Sequence, residues 1–132
     1  MEIKVKPKTY GPVFVHIDRE RVLHYGRAED GIDQISPPTN SPADTLLFVL
    51  AACIAKSLHM EAEKIGLALD AFRVRAACKK AGDLPNRFNQ FEVLVPSSIA
   101  DDHESAERLL NSAKSICTVS NTLNADVTLK LI

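Results

Sequence analysis

The spacing of apolar residues along this chain changes period four times. Near the start, Ile3 and Val5 alternate with Lys4 and Lys6, and Val13, Val15 and Ile17 alternate with Phe14 and His16. A period of two predicts short strands, with a turn at Gly11-Pro12 and a third short strand over Arg21 to Tyr25. From residue 42 the period becomes helical. Ser41 can cap, Pro42 suits the first helical position, Asp44 completes a capping box and Gly66 is a natural stop. The predicted helix, Pro42 to Ile65, would run for about 36 Å. Its first half is apolar nearly all round, which predicts burial on most sides. Its second half, Lys56 to Lys64, carries charge, so it is expected to emerge from the core with His59 solvated.

After Gly66 the period returns to two. Phe72, Val74, Ala76 and Cys78 share one face of a strand, and Phe91, Val93 and Val95 form the next set, which Pro96 ends. A second helix is expected from about Asp102 to Ser115, with Ala106, Leu109, Leu110 and Ala113 at helical spacing. Val127, Leu129 and Leu131 mark a last strand. Strands, long helix, strands, helix, strand is an α+β order. The loop from Gly26 to Ser41 is too short to separate domains, so residues 1–132 read as a single domain.

Charge and composition narrow the partners. Sixteen basic and seventeen acidic residues leave a net charge of -1, which offers nothing to nucleic acid or an anionic membrane. The first seventeen residues lack the apolar block of a signal peptide, and the longest apolar run, Leu46 to Ala55, is too short to span a bilayer. Three cysteines with no secretory signal fit a reducing, cytoplasmic compartment, where a disulfide would be functional rather than structural. His16, His24, His59 and His103 make no metal spacing, and no CxxC pair or phosphate-cradling glycine pattern occurs. No metal and no cofactor are therefore expected.

That leaves the thiols. Cys53 lies twelve residues past the cap, beyond the reach of the helix dipole, which acts within the first turn. The plain reading is a small core residue. For Cys53 to be a nucleophile, a cation must reach it from elsewhere; Arg19, Arg21 and Arg27 are candidates, with Lys56 one turn on. Cys117 ends the second helix, where a partly exposed, locally mobile thiol is expected, or a half-buried apolar position. Cys78, on the apolar face of a strand, reads as core.

Two motifs resemble the osmotically inducible protein C and organic hydroperoxide resistance (OsmC/Ohr) family. The first is Ser41-Pro42-Ala43-Asp44 leading through an apolar helix to Ala51-Ala52-Cys53. The second is Cys117-Thr118-Val119-Ser120-Asn121, similar to the family's cysteine-proline-valine-serine-asparagine turn. The resemblance implies an intertwined homodimer, with antiparallel sheet packed on a long central helix and the site at the subunit boundary. It implies that the first cysteine attacks an organic hydroperoxide to become a sulfenate and that the second closes a disulfide on it. A dithiol reductant, of the dihydrolipoyl kind, would restore both thiols. An arginine would hold the first cysteine as thiolate, and a glutamate near the helix start would hold that arginine. By order along the chain these roles fall to Cys53, Cys117, Arg19 and, for the carboxylate, Asp44. The sequence departs from the pattern twice: Ala43 stands where the family has its glutamate, and Thr118 replaces the proline. The first departure points to OsmC-like members and keeps open a non-catalytic dimer that binds a small apolar ligand or a partner. Cysteine-dependent acyl transfer would need a histidine base beside Cys53, and no motif provides one.

Overall fold

The computed structural model describes residues 8–132; the expected strand around Ile3 and Val5 lies outside them. Strand β1 (Thr9–Ile17) is followed by β2 (Leu23–Gly26), the long helix α1 (Pro42–Lys64), β3 (Phe72–Lys80) and β4 (Phe88–Val95). A single 3-10 turn at Ser97–Ile99 leads to α2 (His103–Ile116), the short α3 (Thr118–Thr122) and β5 (Asp126–Leu131). The strands form one sheet in the order β2-β1-β3-β4-β5. The first three pairings are antiparallel, whereas β5 runs parallel to β4. A parallel pair needs a crossover connection, and α2 and α3 supply it.

Gly11-Pro12 is not the turn that its composition suggests. It lies inside β1, where the register against β3 shifts between Tyr10 and Val13. Gly11 has φ +88°, and a Cβ there would sit 2.8 Å from the Ala76 carbonyl oxygen. The pair therefore makes a bulge, and only glycine fits the approach.

The core explains the all-round apolar character of α1. One side packs on β1 and β3, and another packs on α2 and α3. Leu47, Phe48, Leu50, Ile54 and Leu58 are fully buried in consequence, and truncating any of them to alanine should cost about 2–5 kcal/mol. By composition α1 could cross a bilayer, but most of its apolar surface is core. The face left over carries Val49 and Met60, both close to half exposed. α2 buries Ala106, Leu109, Leu110 and Ala113, the set that its periodicity marks.

Candidate active site at the Cys53–Cys117 pair

α1 starts as its sequence predicts, with one difference. Ser41 Oγ accepts from the Asp44 backbone N–H at 3.3 Å, and Pro42 takes the first helical position, where its missing N–H costs nothing. Thr45 Oγ1 ties the entering loop down through the Pro38 carbonyl at 2.7 Å. The Asp44 carboxylate, however, does not turn back to complete the capping box. It accepts from Arg27 Nε at 2.8 Å, while Arg27 Nη2 donates to Asn40 Oδ1 at 2.7 Å. Nine residues on, Cys53 is half-buried, at the border between the core face of α1 and the open strip around Val49.

Cys117 occupies the junction of α2 and α3, closing one helix and opening the next. Its N–H donates to the Lys114 carbonyl, and its own carbonyl accepts from Asn121 N–H at 3.0 Å. Asn121 Nδ2 then reaches back to the Ser115 carbonyl at 3.0 Å and clamps the junction. The expectation of a partly exposed thiol is overturned, since Cys117 is fully buried. The reason is that the chain does not turn outward after α2. It enters another helical turn at once, and that turn packs on α1, with Val119 and Leu123 against the core. Thr118 stands at the first position of α3, where the family's proline would also be accommodated.

Far apart in sequence, Cys53 and Cys117 meet. The Cys117 thiol is pushed up to about 12, first by burial and then by its hydrogen-bonding contact with the Cys53 side chain. The backbone N–H groups of Ser120 and Val119 act in the opposite sense but do not offset these. Cys117 is the enclosed member of the pair, and Cys53 the half-buried one. Cys78 is buried against the core as expected, and its thiol is pushed up to about 11 by burial and by the charge of Asp44.

The arginines are arranged differently from the expectation. Arg19 is ion-paired with Asp70, beyond the C-terminal end of α1, and so does not partner Asp44. Arg27 holds that place instead, because its loop returns past the start of α1. Arg21 bonds Glu63 at 2.6 Å and depresses the pKa of that carboxyl. Lys56 Nζ donates to the Arg21 carbonyl at 2.9 Å. All three candidate guanidiniums are taken by carboxylates toward the two ends of α1, and none hydrogen-bonds Cys53 among the described residues. Position in the sequence could not rank them, since the pairing depends on where the β1–β2 turn and the following loop cross the helix.

His59 also departs from expectation. It is buried, stacks on Phe72 with ring centroids 5.6 Å apart, and its Nε2 has no hydrogen-bond partner among the described residues. The β1–β2 turn, tethered by Lys56 and Glu63, helps to enclose it. Desolvation lowers its pKa, and the charges of Arg21 and Lys56 lower it further against a smaller opposing effect of Asp18. His103 is on the surface at the start of α2, 3.6 Å from Glu107. Among the described residues, no three histidine, cysteine, aspartate or glutamate side chains gather into a metal-binding group.

Comparison with known proteins gives a consistent outcome. Residues 35–132 match the family model described as OsmC-like protein. The fold resembles the organic hydroperoxide resistance protein OhrB of Bacillus subtilis (TM-score 0.62, 21% identity, 99% of this chain and 98% of that one). It also resembles the organic hydroperoxide resistance protein OsmC of Legionella pneumophila (TM-score 0.59, 17% identity, 99% and 96%). An OsmC-like protein of unknown function from Vibrio cholerae is similar over the whole length of both chains (TM-score 0.59, 9% identity, 100% and 100%). No curated protein matches the chain. At these identities the solved structures speak to the fold alone.

Proposed function

The chain belongs to the OsmC-like protein family, and we propose that it is a thiol peroxidase of organic hydroperoxides in which Cys53 is the attacking and Cys117 the resolving residue. The observation that carries this reading is the Cys53–Cys117 contact, with one thiol half-buried and the other fully enclosed. The two roles need that asymmetry. The attacking sulfur must reach a bulky hydroperoxide, whereas the resolving sulfur must reach only its partner.

In the first step, the Cys53 thiolate attacks the distal peroxide oxygen. The O–O bond breaks, the alkoxide takes a proton and leaves as the alcohol, and Cys53 becomes a sulfenic acid. In the second, the Cys117 sulfur attacks the Cys53 sulfur. Its proton leaves with the hydroxyl as water, and a disulfide remains. An external dithiol, of the lipoyl kind in the family, then reduces that disulfide through a mixed-disulfide intermediate. Contact between the two sulfurs favours the second step over attack by a second peroxide on the sulfenate.

Among the described residues, no guanidinium hydrogen-bonds Cys53 to supply the cation that such chemistry asks for. We assign the completed site to a homodimer, in which the open strip of α1 with Val49 and Met60, together with the exposed Val22 and Ile35, is covered by a second copy. Arg27, held by Asp44 and Asn40, takes over from Arg19 as the first candidate for the activating guanidinium. A cytoplasmic location accords with resting thiols.

The competing reading is a non-catalytic dimer that binds an apolar ligand or partner. Ala43 in the glutamate position and the engagement of all three arginines elsewhere favour it. One experiment separates the two. Reduced protein is treated with one equivalent of cumene hydroperoxide, digested without reductant and examined by mass spectrometry. A peptide joining Cys53 to Cys117 and release of one equivalent of cumyl alcohol are expected. Two free thiols and intact hydroperoxide would leave the binding reading standing.

A further inference from the structure

The chain contains seven arginines. Five meet a carboxylate: Arg19 with Asp70, Arg21 with Glu63, Arg27 with Asp44, Arg87 with Asp83 and Arg108 with Glu104. Among the described residues Arg73 and Arg75 meet none, and these two are neighbours on β3. Both are exposed. Because β3 alternates, Val74 and Ala76 point toward α1 while Arg73 and Arg75 point away from it.

Register adds to the cluster. His16 of β1 stands opposite Arg73, and His24 of β2 stands opposite His16, with their ring centroids 6.4 Å apart. A row of three basic side chains thus crosses three strands, about 10 Å at the usual strand spacing, and Arg75 lies about 6.8 Å further along β3. The like charges of Arg73 and Arg75, two residues apart on one strand face, repel each other. The surrounding positions do little to offset it. Arg75 is flanked by Phe14 and Leu94, Lys130 is paired with Glu92, and Glu29 offers Arg73 only its backbone carbonyl at 3.4 Å.

We propose that this outer face of the sheet docks an extended acidic segment of a partner protein, with carboxylates at alternate residues meeting Arg73 and Arg75. The surface is a strand face, whereas small-ligand sites are concave. The chain as a whole lacks the basic excess of a nucleic-acid binder. In an extended peptide, alternate side chains repeat at about 6.8 Å, the same interval as the two arginines. Each guanidinium can take a carboxylate through two parallel hydrogen bonds. His16 and His24 add imidazole N–H donors beside them. The face is turned away from α1, so a docked segment leaves Cys53 uncovered, and the proposal is independent of the redox reading.

The test uses the reduced full-length chain and a fluorescein-labelled decapeptide of alternating aspartate and serine, followed by anisotropy at low salt. The lysine–serine decapeptide and a ten-residue oligothymidylate serve as comparison probes. Saturable binding of the acidic peptide alone is expected, weakened about tenfold or more in Arg73→Ser/Arg75→Ser and unchanged in Arg87→Ser. Backbone NMR signals of Arg73, Arg75, His16 and His24 should move together during the titration. This map decides the matter should the double variant fail to fold. Absence of saturable binding, equal loss in Arg87→Ser, tighter binding of the oligothymidylate, or shifts confined to other strands would overturn the proposal.

Discussion

Cys117 and Cys78 are both buried thiols on the core side of their elements, and burial drives both upward, to about 12 and about 11. They differ in their neighbours. Cys78 faces apolar side chains and the distant charge of Asp44, whereas Cys117 has the sulfur of Cys53 against it. Enclosure therefore does not by itself mark a thiol as inert. What separates the two is whether a second sulfur is within reach, and that depends on α1 and the α2–α3 junction packing together.

The sharpest way to break this contrast is to remove one sulfur at a time. Cys53→Ser should abolish hydroperoxide consumption to the uncatalysed background in a peroxide assay. Cys117→Ser should consume one equivalent to leave Cys53 as sulfenic acid and then a second, more slowly, to carry it to sulfinic acid, followed by mass spectrometry. Cys78→Ala should leave turnover intact and lower unfolding stability by about 1–3 kcal/mol in a urea titration. Consumption of hydroperoxide that tracks Cys78 would erase the distinction.

Alkaline pH gives a graded version of the same comparison. In the unfolded chain both thiols ionise near 9, whereas in the folded protein they do so near 11 and 12. Below pH 9 their contribution to stability is whole. As pH rises from 9 toward 12 the unfolded chain gains solvated thiolates that the folded protein cannot, so stability falls. Urea midpoints measured from pH 8 to 11 should decline, less steeply in Cys78→Ala. His59 gives the acid counterpart. Its folded pKa lies below the ordinary 6.5, so stability should fall as pH drops below that value, and His59→Phe should flatten this slope. The smallest effect is expected for Arg27→Gln, at most about 1 kcal/mol, because the ion pair with Asp44 is partly exposed and screened by solvent.

Much of the scaffold was legible from periodicity. The apolar run from Leu46 to Ala55 could be satisfied only by burial on several sides, and the Ser41-Pro42 start needed no tertiary contact to be read. The thiol pair was legible as a motif rather than as a geometry. What could not be read depends on which segments cross each other. His59 sits among charged residues in sequence, yet the β1–β2 turn and Phe72 enclose it. Arg27 was ranked below Arg19 because order along the chain does not reveal that its loop returns to the helix start. Gly11-Pro12 has the composition of a turn, and only the approach of the Ala76 carbonyl makes it a bulge.

The parallel pairing of β5 with β4 has a consequence for how the protein matures. The chain must finish its long return journey before the final strand can zip against its neighbour, and Cys117 travels on that return. A nascent chain therefore presents Cys53 before Cys117 has been synthesised, and the pair is complete only once α2 and α3 pack on α1.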